Sequence, residues 1–137
     1  MYEKLLYIHD YFGQNIHYDE SNKNPHNCYG GLIEHRVVCD GFSKSFALVS
    51  RLVGAETIIV AGDGHGWNHV KLDNKWYAID VTWDGNEHTY FLIGSDTLVG
   101  DKRYKDDPLR NLEKNDYYPP KLSTTEYDPP NTDPEAI

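Results

Sequence analysis

The sequence predicts an α+β fold, a helix carrying a chemically placed cysteine packed on an antiparallel β-sheet. Three observations lead there. Two segments near the start carry apolar residues at helical spacing. Four short β-branched or aromatic runs follow after residue 56. One pair of those runs is separated by Asp73-Asn74, residues that tolerate the positive φ of a two-residue hairpin turn. Helices first and an antiparallel meander afterwards is an α+β order.

The elements follow in turn. Residues 2–13 read as a helix, with Leu5, Ile8 and Phe12 on one face, Leu6 and Tyr11 alongside, and Gly13 as its stop. Residues 14–36 are mostly polar, with Asn, Pro, Gly and His, and read as one long irregular stretch. Residues 40–53 form the second helix: Phe42, Phe46, Val49 and Val53 mark one face, Ser45 and Leu52 lie beside it, and Gly54 is placed to end it. Thr57 to Val60 is a strand bounded by Gly54 and Gly62. Trp67–Leu72, Trp76–Trp83 and Tyr90–Ile93 are read as three more. Residues 1–100 thus form the core. From about residue 101 charges dominate, and five of the seven prolines lie beyond Tyr118. A tail of that composition forms neither a buried helix nor a central strand. Residues 101–137 are expected to lie over the core or to link to a further domain.

Bulk properties bound the function. A chain of 137 residues fits one domain. A net charge of −9, with scattered Lys and Arg, disfavours nucleic acid and anionic membranes and leaves cationic or neutral substrates. No apolar run reaches the length that spans a bilayer, so no membrane insertion is expected. The start, Met1-Tyr2-Glu3-Lys4, is unlike a signal peptide. A secreted or cell-surface setting within a larger parent protein is favoured, with the cytoplasm as the alternative. Cys28 and Cys39 are too few for a disulfide scaffold. A bridge between them is conceivable, but it would consume the one thiol whose surroundings look chemical.

That thiol is Cys39, at the start of the second helix. A helix N-terminus carries about half a positive charge and free N–H groups. It stabilises the nucleophilic thiolate and can receive a developing oxyanion. Gly41 keeps side-chain bulk away from that end. On position alone, a small buried hydrophobe explains Cys39 at least as well. The hairpin changes the balance. With Asp73-Asn74 as the turn, Trp67 faces Asp80, His65 faces Thr82, and residues 65, 67, 69, 78, 80 and 82 share a face. His65 is then a diagonal neighbour of Asp80. An acid on one imidazole nitrogen fixes the tautomer and leaves the other nitrogen as a base. His69 is the opposite diagonal neighbour, and register alone does not choose between the two. His65, among Gly62, Gly64 and Gly66, sits where an open site edge is expected.

A metal is not expected. His65 and His69 on a strand lie roughly 13 Å apart, and no third ligand is near in sequence. His9, His17, His26, His35 and His88 default to solvated side chains. Trp76 and Trp83 are read as packing residues, whereas Trp67 shares the face of His65 and Asp80 and would shield their bond from water.

The runs Cys39-Asp40-Gly41-Phe42, His65-Gly66-Trp67-Asn68 and Asp80-Val81-Thr82-Trp83 resemble three motifs of the bacterial transglutaminase-like domains, in order and at the right spacing. Phe42 stands where Tyr is common, and Gly66 where Ala is common. The resemblance extends loosely to Ile93. It implies a papain-like core, Cys39 as nucleophile, His65 rather than His69 as base, and Asp80 as its orienting acid. It implies acyl transfer on a peptide or protein amide, without a cofactor. Water as acceptor gives a cysteine peptidase or amidase, the favoured form, and an amine gives a transglutaminase. A silent binding module is the alternative from another class. Tyr29 and the Cys39 main-chain N–H are the candidates for holding the oxyanion.

Overall fold

The computed structural model describes residues 1–62, 64–108 and 119–130. Helix α1 spans Tyr2–Asn15 and buries Leu5, Ile8 and Phe12, the expected face, together with His9. It runs through Gly13, which is not a stop. A Cβ at residue 13 would run into the Gly85 carbonyl, so this glycine permits close packing. Alanine in a helix interior ordinarily gains about 1 kcal/mol over glycine. Here Gly13→Ala is expected to reverse that sign and cost about 1–3 kcal/mol by overpacking, read as a lower urea midpoint.

The polar stretch after α1 is less irregular than expected. β1 (His17–Tyr18) pairs in parallel with β2 (Arg36–Val37), and a π-helical turn, Gly30–Glu34, precedes β2. Helix α2, Cys39–Leu52, buries Phe42, Phe46 and Ala47. Val49 and Val53 pack against the same core from the half-buried rim. The helix ends on Gly54 at φ +99°. The Gly54 N–H donates to Arg51 O and the Ala55 N–H to Ser50 O, each at 3.0 Å, which is the Schellman closure.

The sheet has the order β3 (Glu56–Gly62), β4 (His65–Leu72), β5 (Lys75–Ile79), β6 (Phe91–Ile93), all antiparallel. Asp73 and Asn74 have φ of 51° and 66°, so the two-residue turn sets the register that pairs Leu72 with Lys75 and Asn68 with Ile79. β4 begins at His65, two residues earlier than predicted, because β3 pairs that far.

The strand read over 76–83 is shorter. It ends at Ile79, and the expected pairs Trp67–Asp80 and His65–Thr82 do not form. Asp80 leaves the ladder at φ −132°, ψ 87°, and its side chain caps a single helical turn, α3 (Val81–Asp84). Aspartate accepting a backbone N–H at a helix start is a strong local signal, and it overrides the alternating pattern.

α2 packs on β3 and β4 of the sheet, and α1 packs against α2 and α3. The core between them holds Leu5, Phe12, Phe46, Val70, Ile79 and Leu92. Beyond β6, β7 (Leu98–Val99) and β8 (Lys102–Arg103) make a small hairpin, followed by one 3₁₀ turn whose Tyr104 is buried against Ala78 and Ile93. Residues 119–130 pack on the core. The Ser123 N–H donates to Trp76 O at 2.8 Å and the Tyr127 N–H to Leu92 O at 2.9 Å. The Tyr127 hydroxyl reaches Asp73. The remainder of the predicted extension, 109–118 and 131–137, lies outside the described residues.

Candidate active site

His65 opens β4, and Asp80 sits at the end of β5 as the cap of α3. His65 Nε2 lies 2.7 Å from Asp80 Oδ2, with the two side chains only 8% and 1% exposed. Asp80 is locked from two further directions: its Oδ1 accepts the Trp83 N–H at 3.2 Å, and its own N–H donates to Tyr90 O at 2.9 Å. A carboxylate held in this way accepts the Nε2 proton, which leaves Nδ1 with the lone pair.

The imidazole is also held by its faces. Trp83 stacks on it with centroids 4.5 Å apart and planes at 19°, and Trp67 lies 5.8 Å away at 17°. Trp67 is buried. Its indole N–H donates to His69 Nε2 at 3.2 Å. The two histidines that register could not separate therefore differ in kind: His65 meets the carboxylate, and His69 backs an indole. Trp83, read as a packing residue, packs on the His65 ring itself. The helical turn after Asp80 swings it over the His65 ring. The Asp-x-Thr-Trp pattern carried that signal.

Cys39 is the first residue of α2, and both cysteines are free thiols, each half-buried. The preceding Val38 has no side-chain bond to the helix start. The start of α2 and the start of β4 are packed together. A Cβ on Gly66 would come to 3.8 Å from Asp40 Cα and 3.4 Å from Ser43 Oγ. Asn68 completes the tie, donating from Nδ2 to Ser43 O at 2.9 Å. Asp40, beside the thiol, is engaged by His26 Nδ1 at 2.7 Å.

Tyr29, proposed for the oxyanion, opens the π-helical turn with its ring largely exposed. Tyr18 was missed. Its phenol is pushed above the usual tyrosine range by burial first, then by the charges of Glu20 and Cys39. β1 sets Tyr18 opposite Val37, two residues before Cys39. It lies in a polar stretch with no periodicity, and nothing in the sequence marks it.

His9 corrects a second expectation. It is fully buried, because α1 turns it toward α3. His9 Nε2 lies 2.9 Å from Asp84 Oδ2, with neither side chain exposed. Burial alone would lower the His9 pKa, but the bonds to Asp84 and Asp10 outweigh it and leave it raised. Asp84→Ala strands this imidazole and is expected to cost about 3–5 kcal/mol, visible as a lower denaturation midpoint.

The family model of the transglutaminase-like superfamily matches residues 1–81, which include Cys39, His65 and Asp80. The chain belongs to the transglutaminase-like superfamily. Solved structures agree on the fold. The superfamily domain is similar to a crystal structure of a TGase at 22% identity and TM-score 0.51, over 57% of this chain and 25% of that one. It is also similar to a protein described as a candidate cysteine protease from Cytophaga hutchinsonii, at 20% identity and TM-score 0.54, over 60% and 32%. The chain thus spans a quarter to a third of the length of these two. No curated protein matched the sequence. Among the described residues no helix is long and apolar enough to cross a membrane.

Proposed function

We propose that this superfamily domain is a thiol-dependent acyl-transfer enzyme acting on peptide or protein amides, most simply by hydrolysis. The buried 2.7 Å contact between His65 and Asp80, packed beside the start of the cysteine-bearing helix, carries the reading. In the first half-reaction His65 Nδ1 takes the Cys39 proton, and the sulfur attacks the amide carbonyl. The tetrahedral oxyanion is held by main-chain N–H groups at the start of α2. His65 then protonates the leaving nitrogen, the C–N bond breaks, and an amine departs from a thioester. In the second half-reaction His65 deprotonates the acceptor, the acceptor attacks the thioester, and the thiol is restored. Asp80 remains ionised and stabilises the imidazolium.

Water as acceptor releases an acid, and an amine releases a new amide. No cofactor enters either path. The net charge of −9 favours cationic or neutral substrates. A mixed peptide library incubated with the protein, with and without a primary amine, and read by mass spectrometry tests the proposal. Cleaved peptides with new carboxyl groups, absent with Cys39→Ala, are the expected result. Amine-adducted glutamine products without cleavage would move the assignment to transglutamination. No product of either kind, in a folded protein of full parental length, would overturn it in favour of a binding module.

A further inference from the structure

We propose that His9, Asp10 and His88 form a zinc site at the opposite end of the α3 turn from the His65–Asp80 pair. A ring nitrogen from each histidine and a carboxylate oxygen of Asp10 lie within 4.8 Å of one another. Asp10 Oδ1 is 3.0 Å from His9 Nδ1 and 2.6 Å from His88 Nε2. Zinc bound tetrahedrally at about 2.0–2.1 Å places its ligand atoms roughly 3.3 Å apart. The three ligand atoms are therefore within side-chain adjustments of less than about 1.5 Å of that spacing, the two contacts to Asp10 having to lengthen, for an ion to replace the protons that now hold them together.

The stronger observation is what stands behind His9. Its other nitrogen, Nε2, meets the fully buried carboxylate of Asp84 at 2.9 Å. Asp84 is fixed in turn by accepting the Tyr90 N–H at 2.8 Å. A carboxylate behind a ligating imidazole fixes the tautomer, directs the lone pair at the ion and raises the ring's basicity. Here the Nε2 proton goes to Asp84, and Nδ1 is the nitrogen turned to the cluster. The rings of His9 and His88 stack 5.1 Å apart at 27°, which orients the second imidazole as well.

The donor set selects the ion. Two imidazoles and one carboxylate suit zinc, whereas magnesium and calcium take oxygen ligands. His88 and Asp10 are 50% and 37% exposed, so the fourth position opens to water. An ion there joins α1 to the loop after α3. It also braces Asp84, the last residue of the turn that Asp80 begins and from which Trp83 covers His65.

Calorimetric titration of the EDTA-treated full chain with Zn²⁺ is the test, with Co²⁺ as the optical probe. One equivalent of Zn²⁺ is expected to bind and to raise the melting temperature, with Mg²⁺ and Ca²⁺ giving no heat. The Co²⁺ spectrum should carry weak visible bands without a thiolate charge-transfer band. His88→Ala and Asp10→Asn should each weaken binding by about tenfold or more, with a cooperative melting curve without metal showing that each variant is folded. If one of them misfolds, the other decides. Absence of binding, binding untouched by a folded variant, or a thiolate band that places the ion on a cysteine would each overturn the site.

Discussion

Cys39→Ala is expected to reduce turnover by at least about 10³-fold and to leave the fold in place. The loss is large because the proposed reaction runs through a covalent thioester, and no other group takes over the role of the nucleophile. The fold should survive because residue 39 is the first of α2 and only half-buried. Alanine is the best helix former, so the stability change should stay within about 1 kcal/mol. Activity and a denaturation curve on the same preparation check both halves. A variant that keeps its activity would remove Cys39 from the chemistry.

Asp80 should give the second-largest effect, and its two jobs can be separated. Asp80 caps α3 through the Trp83 N–H and orients His65 through Oδ2. Asparagine caps a helix about as well as aspartate. In Asp80→Asn the amide oxygen can stay on the Trp83 N–H, which turns the amide NH₂ toward His65 Nε2. Nε2 must then accept, the ring proton moves to Nδ1, and the base is lost. Activity should fall by about 10²–10⁴ with the fold largely kept. Asp80→Ala loses the cap as well and should cost about 1 kcal/mol more in stability. Equal activity losses with unequal stabilities are therefore expected. A fully active Asp80→Asn would contradict the orienting role.

The sequence made the helices and the meander legible because each is written locally. Phe42 and Phe46 recur at helical spacing, Gly54 closes α2, and Asp73-Asn74 supplies the positive φ that sets the β4–β5 register. The partner of His65 was legible for a partly wrong reason. The pairing of residues 65 and 80 was read from a ladder that stops at Ile79, and the contact is made instead by the Asp80 cap. Periodicity does not register a strand that turns into a helix at a capping residue, and so Trp83 was read as packing. Tyr18 and His9 were hidden for a different reason. Their surroundings are tertiary: one pairs from a polar stretch with Val37, just before the thiol, and the other is buried against an acid far along the chain.

The most direct measurement compares the two thiols within one molecule. Cys28 and Cys39 are both half-buried and free, so exposure alone predicts similar reactivity. Iodoacetamide at pH 6, followed by peptide mapping, reports each rate separately. Cys39 should be alkylated many times faster than Cys28. The advantage should vanish in His65→Gln, which keeps an N–H for Asp80 but supplies no base. Equal rates at the two cysteines, or an advantage for Cys39 that survives His65→Gln, would contradict a thiol activated by His65 and Asp80.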